Sequence, residues 1–131
     1  MKKPLDILLI EDDVDDVDLL KEALDENSID YQIEVIMEGD KVSNHIQDST
    51  HLPGIIVMDL NLPKADGKEV LQVLKSNGPF SDVPVIVLTT SSSKEDIDYC
   101  YKMGVNKFIT KPATIEGWNE TISKILDVAG A

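Results

Sequence analysis

The sequence predicts an α/β fold of the doubly wound kind, a five-stranded parallel sheet with helices on both faces. Three observations carry this expectation. Short apolar runs rich in Ile, Leu, Val and Met recur along the 131 residues, each run is followed by a stretch with helical spacing, and polar residues able to do chemistry collect just beyond the ends of the runs. Continuous apolar runs fit strands buried on both faces, and their alternation with helical patterns is the signature of β-α-β units.

The first run, Leu5 to Ile10, stops directly in three carboxylates, Glu11, Asp12 and Asp13. Val17, Leu20 and Leu24 then recur at helical spacing. "YQIEVIM", Tyr31 to Met37, alternates Ile33, Val35 and Met37 with Gln32 and Glu34, the pattern of an edge strand with one wetter face. "GDKVSNHIQDST" is the weakest helical segment, with only Val42 and Ile46 for an inner face. Ile55 to Leu60 reads as a third strand and Val70 with Leu74 as a helix. Val83 to Leu88 is a fourth strand, followed by Ile97 and Tyr101 on a helix that Gly104 stops. Lys107 to Thr110 is a weaker fifth strand. Thr114 then N-caps a last helix whose apolar stripe is Ile115, Trp118, Ile122 and Leu126.

With 42% hydrophobic and 28% charged residues, the chain fits one domain over residues 1–131, with no room for a second. A net charge of −13 argues against a nucleic-acid partner, which would need clustered Lys and Arg. A metal or a cationic partner is easier to accommodate. The single cysteine, Cys100, excludes an internal disulfide and suits a reducing, cytoplasmic setting. The start, Met1-Lys2-Lys3-Pro4, carries two positive charges, but Glu11 breaks the apolar stretch too soon for a signal peptide or membrane span.

In a parallel sheet the residues beyond the C-terminal strand ends share one edge, where such folds bind ligands. That edge receives Glu11, Asp12 and Asp13 from the first strand, Asp59 and Asn61 from the third, Thr89 and Thr90 from the fourth and Lys111 from the fifth. Taken singly, an acid beyond a strand is most often a helix N-cap. Together, the acids repel one another unless something positive lies among them. Asp59 follows "IIVM" at the rim of the core, where water is scarce. Mg²⁺, a hard cation held by one or two carboxylates, waters and a phosphate, suits the set, with Lys111 as a point charge and Thr89 as a hydroxyl donor for phosphoryl oxygens.

"LLIEDD", "IIVMDLNLP", "VIVLTTS" and "FITKP", in this order, resemble the receiver domains of two-component response regulators over essentially the whole chain. The resemblance implies the flavodoxin-like strand order 2-1-3-4-5. It implies that Asp59 accepts a phosphoryl group from a sensor histidine kinase or histidine phosphotransfer protein. Glu11 and Asp12 match the family's acidic pair, with Asp12 the direct Mg²⁺ ligand; Asn61 adds its backbone carbonyl, and Thr89 and Lys111 match the family's hydroxyl and lysine. It also implies a cis Lys111-Pro112 bond. Asp13 falls outside the matched pair and reads as the start of the following helix. Such a domain is a phosphoacceptor that assists its own phosphorylation and dephosphorylation, not an enzyme with a separate substrate.

Phe108 stands where receivers often carry a switch tyrosine, so a switch through Thr89 and Phe108 lacks the phenol hydroxyl and has to work by packing. Thr90 is bulkier than the residue often found there and narrows access to Asp59. "LTTSSS", the longer "KSNGPFSDVP" connection and the lack of an output domain resemble the stand-alone receivers associated with phytochrome-type kinases. Output is then expected through a partner, or a homodimer, at the face made by the helix around Ile97 to Met103, the fifth strand and the helix around Trp118.

A flavin site would need a hydroxyl- and glycine-rich loop where this chain is acidic, and an aspartate-nucleophile phosphatase a second acid where this chain has Asn61. The alternative that stands is a degenerate receiver acting as a phosphorylation-independent interaction module. His45 and His51 read as surface or structural residues, Cys100 as a packed thiol, Trp118 as core, and Asp15, Asp16 and Asp18 as a solvated face favouring a helix N-terminus.

Overall fold

The computed structural model describes residues 4–49 and 51–130, so Met1 to Lys3, with the two lysines noted above, lie outside the described residues. Five strands alternate with five helices: β1 Leu5–Ile10, α1 Val14–Glu26, β2 Tyr31–Ile36, α2 Val42–Asp48, β3 Ile55–Met58, α3 Gly67–Ser76, β4 Val85–Thr89, α4 Lys94–Lys102, β5 Lys107–Thr110 and α5 Ile115–Ala129. All pairings are parallel and the strand order is β2-β1-β3-β4-β5, as the resemblance implied.

The pleat divides the core in two. Leu8, Ile10, Ile56, Met58, Val85 and Val87 face α2, α3 and α4, whereas Ile7, Leu9, Ile55, Val57, Ile86 and Leu88 face α1 and α5. Two layers of helix over one sheet are what strands apolar on both sides demand. Only β2 shows the alternation of an edge, with Gln32 and Glu34 exposed between half-buried neighbours. No helix among the described residues is long and apolar enough to cross a membrane.

Several expectations change in detail. β2 ends at Ile36, leaving Met37 exposed, and β3 ends at Met58, although Leu60 stays buried. β4 starts at Val85, not Val83, because Pro84 has no N–H to pair and Val83 closes a 3-10 turn, Gly78–Asp82. In α5 the buried stripe is Trp118, Thr121, Ile122 and Ile125, not one that begins at Ile115, which is 67% exposed in the first turn. In α4 neither Ile97 nor Tyr101 is fully buried; Cys100 alone is. The helix ends do follow the reading: Asp13 and Thr114 cap α1 and α5 by accepting the N–H groups of Asp15 and Gly117, and Gly104, with φ +93°, ends the chain's path out of α4.

Candidate functional site

The strand register brings the site together. Ile10 lies opposite both Ile36 and Met58, so β1 and β3 finish at one level and deliver Glu11 and Asp59 side by side. Hydrogen bonding continues one residue past the strand ends. Glu11 N–H donates to the Ile36 carbonyl at 3.0 Å, Asp59 N–H to that of Ile10 at 3.0 Å, and Lys111 N–H to that of Thr89 at 2.8 Å. The reactive side chains therefore hang from the last rungs of the sheet rather than from free loops. The loop after Asp59 is fixed by Gly67, where a Cβ would lie 2.3 Å from the Leu60 carbonyl oxygen, so no other residue fits.

At the centre is the Lys111 ammonium. It lies 2.7 Å from Glu11, 2.6 Å from Asp16 and 2.7 Å from Asp59, and only 9% of the lysine side chain is exposed. The other Asp59 oxygen accepts the Asn61 N–H at 3.0 Å. Thr89 is fully buried, with its hydroxyl oxygen facing Asn61 Nδ2 at 3.5 Å and accepting the Ser91 N–H at 3.4 Å; Asn61 Nδ2 also reaches the exposed Thr90 hydroxyl at 3.4 Å. Glu11, Asp12 and Asp59 each place a carboxylate oxygen within 4.8 Å of the others.

These contacts set the charges. Burial pushes the Glu11 carboxyl up to about 7, outweighing its pairing with Lys111, and the Asp59 charge adds to the push. Burial acts the same way on Asp59, but there the Asn61 N–H, the Lys111 ammonium and the Thr89 hydroxyl prevail and hold it below its ordinary value. Burial would lower the Lys111 value, yet Asp16, Asp59 and Glu11 together raise it. Three carboxylates meet one ammonium and Asp12 lies beside two of them, so the crevice keeps an excess of negative charge. Its hard oxygen donors fit a small divalent cation, with Glu11, Asp12 and Asp59 to hold it.

The residues expected at this edge, Glu11, Asp12, Asp59, Asn61, Thr89 and Lys111, are thus brought together. Asp13 turns away as the α1 cap, and Phe108 lies half-buried on β5, away from the acids. Two expectations are corrected. The Lys111-Pro112 bond is trans, since no peptide bond among the described residues is cis; trans is the ordinary preference before proline, and Lys111 reaches its three partners from it. Asp16 is not simply solvated, because its place in the first turn of α1 brings it to Lys111. His45 and His51 face the single carboxylates of Glu34 and Asp6, far from any ligand cluster. Cys100 and Trp118 are buried, as expected.

The response regulator receiver domain family matches residues 7–123. The chain belongs to this family. Among the receiver's relatives is the response regulator Rcp1 of Synechocystis sp., 36% identical in an alignment of 118 positions that covers 86% of this chain and 80% of Rcp1. A second is the probable methanogenesis regulatory protein FilR2 of Methanothrix harundinacea, 34% identical over 93% of this chain and 81% of its own. Among solved structures, the phosphorylated cyanobacterial phytochrome response regulator RcpA superposes with a TM-score of 0.86 at 32% identity, and the Mn²⁺-bound form of Rcp1 with 0.83 at 33%. Each alignment covers 95% of this chain and 93% of the other. The receiver is therefore similar to phytochrome response regulators in sequence and in fold.

Proposed function

We infer that this receiver accepts a phosphoryl group on Asp59 from a sensor histidine kinase or histidine phosphotransfer protein, with Mg²⁺ held by Glu11, Asp12, Asp59 and the Asn61 carbonyl. The observation that carries this reading is the state of Asp59: buried, kept ionised, and fixed through both oxygens by Lys111 and the Asn61 N–H. A carboxylate held in this way is a ready nucleophile. In the transfer, an Asp59 oxygen forms the new bond to phosphorus as the donor's P–N bond breaks, and the departing imidazole takes up a proton. Lys111 offsets charge on the phosphoryl oxygens and Thr89 offers its hydroxyl to one of them. The metal, when bound, supplies further positive charge at those oxygens. Phosphorylated RcpA and Mn²⁺-bound Rcp1, at about a third identity, support the same use of this site.

The domain then works as a cytoplasmic phosphoacceptor rather than an enzyme with a separate substrate. Its message is a shift between two surface states at the α4-β5-α5 face, read by a partner or a second copy, and biased by the phosphoryl group's differential affinity for the two. Incubation with acetyl phosphate and Mg²⁺ should add one phosphoryl mass to the intact protein, and Asp59→Asn should abolish the gain. Equal gain in the variant would displace Asp59, and none in either protein would favour the phosphorylation-independent interaction module.

A further inference from the structure

α4 is attached to the body by polar contacts at both ends. Cys100 is its one fully buried residue. Near its start, Asp96 bridges two other elements: one oxygen accepts the Ser91 hydroxyl at 2.6 Å and the other meets Lys68 Nζ, on α3, at 2.8 Å. The same ammonium lies 5.1 Å from the centroid of the Tyr99 ring, and Gln72 donates to the Tyr99 hydroxyl at 3.0 Å. At the other end, the Tyr101 hydroxyl accepts the Phe108 N–H at 3.0 Å. Because the Ser91 N–H also donates to Thr89, a line of hydrogen bonds and one ion pair runs from the site through Thr89, Ser91 and Asp96 to Lys68.

We propose that Asp96 is a positioning residue that latches α4 and the loop after β4 to α3 through Ser91 and Lys68, holding Thr89 in its resting place until phosphorylation of Asp59 draws it away. The latch rests on the phosphoacceptor reading of the site and adds a residue outside it. Thr89 and Ser91 are joined by a 3.4 Å hydrogen bond two residues apart, so a pull on Thr89 from a phosphoryl group on Asp59 is passed to Ser91, which Asp96 grips at 2.6 Å. Lys68 and Asp96 are each about a quarter to a third exposed, so their pairing is weak and yields to a modest pull. Asp96 also favours the α4 N-terminus through its charge, so loss of Lys68 separates the latch from the helix-end effect.

The test compares wild type with Asp96→Asn, Lys68→Met, their double variant and Lys68→Arg, by amide hydrogen exchange and resonance positions across residues 89–102, with beryllofluoride plus Mg²⁺ on wild type defining the activated positions. Asp96→Asn and Lys68→Met, each without phosphodonor, should raise α4 exchange about threefold or more with α1 and α5 unchanged. Each should also move the resonances toward the activated positions and quicken mass gain from acetyl phosphate. The double variant should equal these two singles, and Lys68→Arg should restore wild type. Unchanged exchange in Lys68→Met, additive effects in the double variant, or shifts away from the activated positions would overturn the latch. If exchange responds but wild type gains no phosphoryl mass, the phosphorylation half of the proposal falls, together with the assignment of Asp59.

Discussion

α4 and α5 both follow strands that deliver a site residue, Thr89 at the end of β4 and Lys111 just past β5, yet they are attached by opposite means. α5 buries Trp118, Thr121, Ile122 and Ile125 on the face it shares with α1, whereas α4 buries Cys100 fully and Tyr99 in part and otherwise leans on side-chain hydrogen bonds and the Lys68-Asp96 pair. Buried apolar area is lost only as a block, while exposed polar contacts exchange with water at little cost. Lys111, before α5, is thus carried by a fixed frame, and Thr89, before α4, by one that can shift. The proposed switch needs this division: a charge that stays and a hydroxyl that moves.

The comparison breaks most severely at Trp118. Truncating a buried aromatic costs about 3–5 kcal/mol, so Trp118→Ala should lower the urea midpoint drastically, whereas Cys100→Ala, on the loosely held helix, should cost about 1 kcal/mol. Similar losses at the two positions would show that α4 is packed as firmly as α5.

Next comes the fixed charge itself. Lys111→Met leaves Glu11, Asp16 and Asp59 facing one another without their cation, and breaking a buried pair from one side costs about 3 kcal/mol. Millimolar Mg²⁺ should return part of that stability, since a dication meets the same excess of carboxylate. A variant as stable as wild type in chelator would mean that the acids are not held by Lys111.

Titration sharpens the same side. The folded Glu11 value, about 7, lies above its ordinary 4.5, so its contribution to stability is complete below that ordinary value and is lost as pH rises through 7. Asp59 is shifted the other way: its contribution is present above the ordinary carboxylate range and is lost only below it. Between these limits Glu11 governs, and the metal-free protein should lose about 2 kcal/mol from roughly pH 5 to 7.5, measured by urea unfolding in chelator. Glu11→Gln should flatten that slope, and Mg²⁺ affinity should rise over the same window as the proton leaves. A slope unchanged in Glu11→Gln would assign the titration to another group.

How much of this was legible in the sequence follows the same division. Apolar runs ending in Glu11, Asp59, Thr89 and Lys111 were readable because a parallel sheet fixes where its strand ends lie, and the register then does the rest. The frame of α5 was readable in outline, but its stripe was misplaced at Ile115, because that first-turn residue lies at the surface beside Leu19, Ala23 and Trp118 and stays 67% exposed instead of entering the core. Asp16, Ser91, Asp96 and Lys68 were not identified as a working set. Their roles depend on long-range pairings of ordinary surface residue types, and neither periodicity nor composition distinguishes a polar latch from a solvated face.

The smallest effect concerns the far end of α4. β5 is an edge strand, and the Phe108 N–H, on its open side, is met by the hydroxyl of Tyr101, a residue 48% exposed. Tyr101→Phe removes that acceptor and keeps the ring, so water must serve the N–H, at a net cost of about 1 kcal/mol or less. Global stability should hardly change, yet exchange at the Phe108 amide should quicken several-fold while Ile109, bonded within the sheet, is untouched. This distinguishes a hydroxyl that protects the edge from a ring that merely covers it, because only the former is lost in phenylalanine. Unchanged exchange at Phe108 would leave α4 tied to β5 by packing alone and would remove one of the two polar attachments on which its contrast with α5 depends.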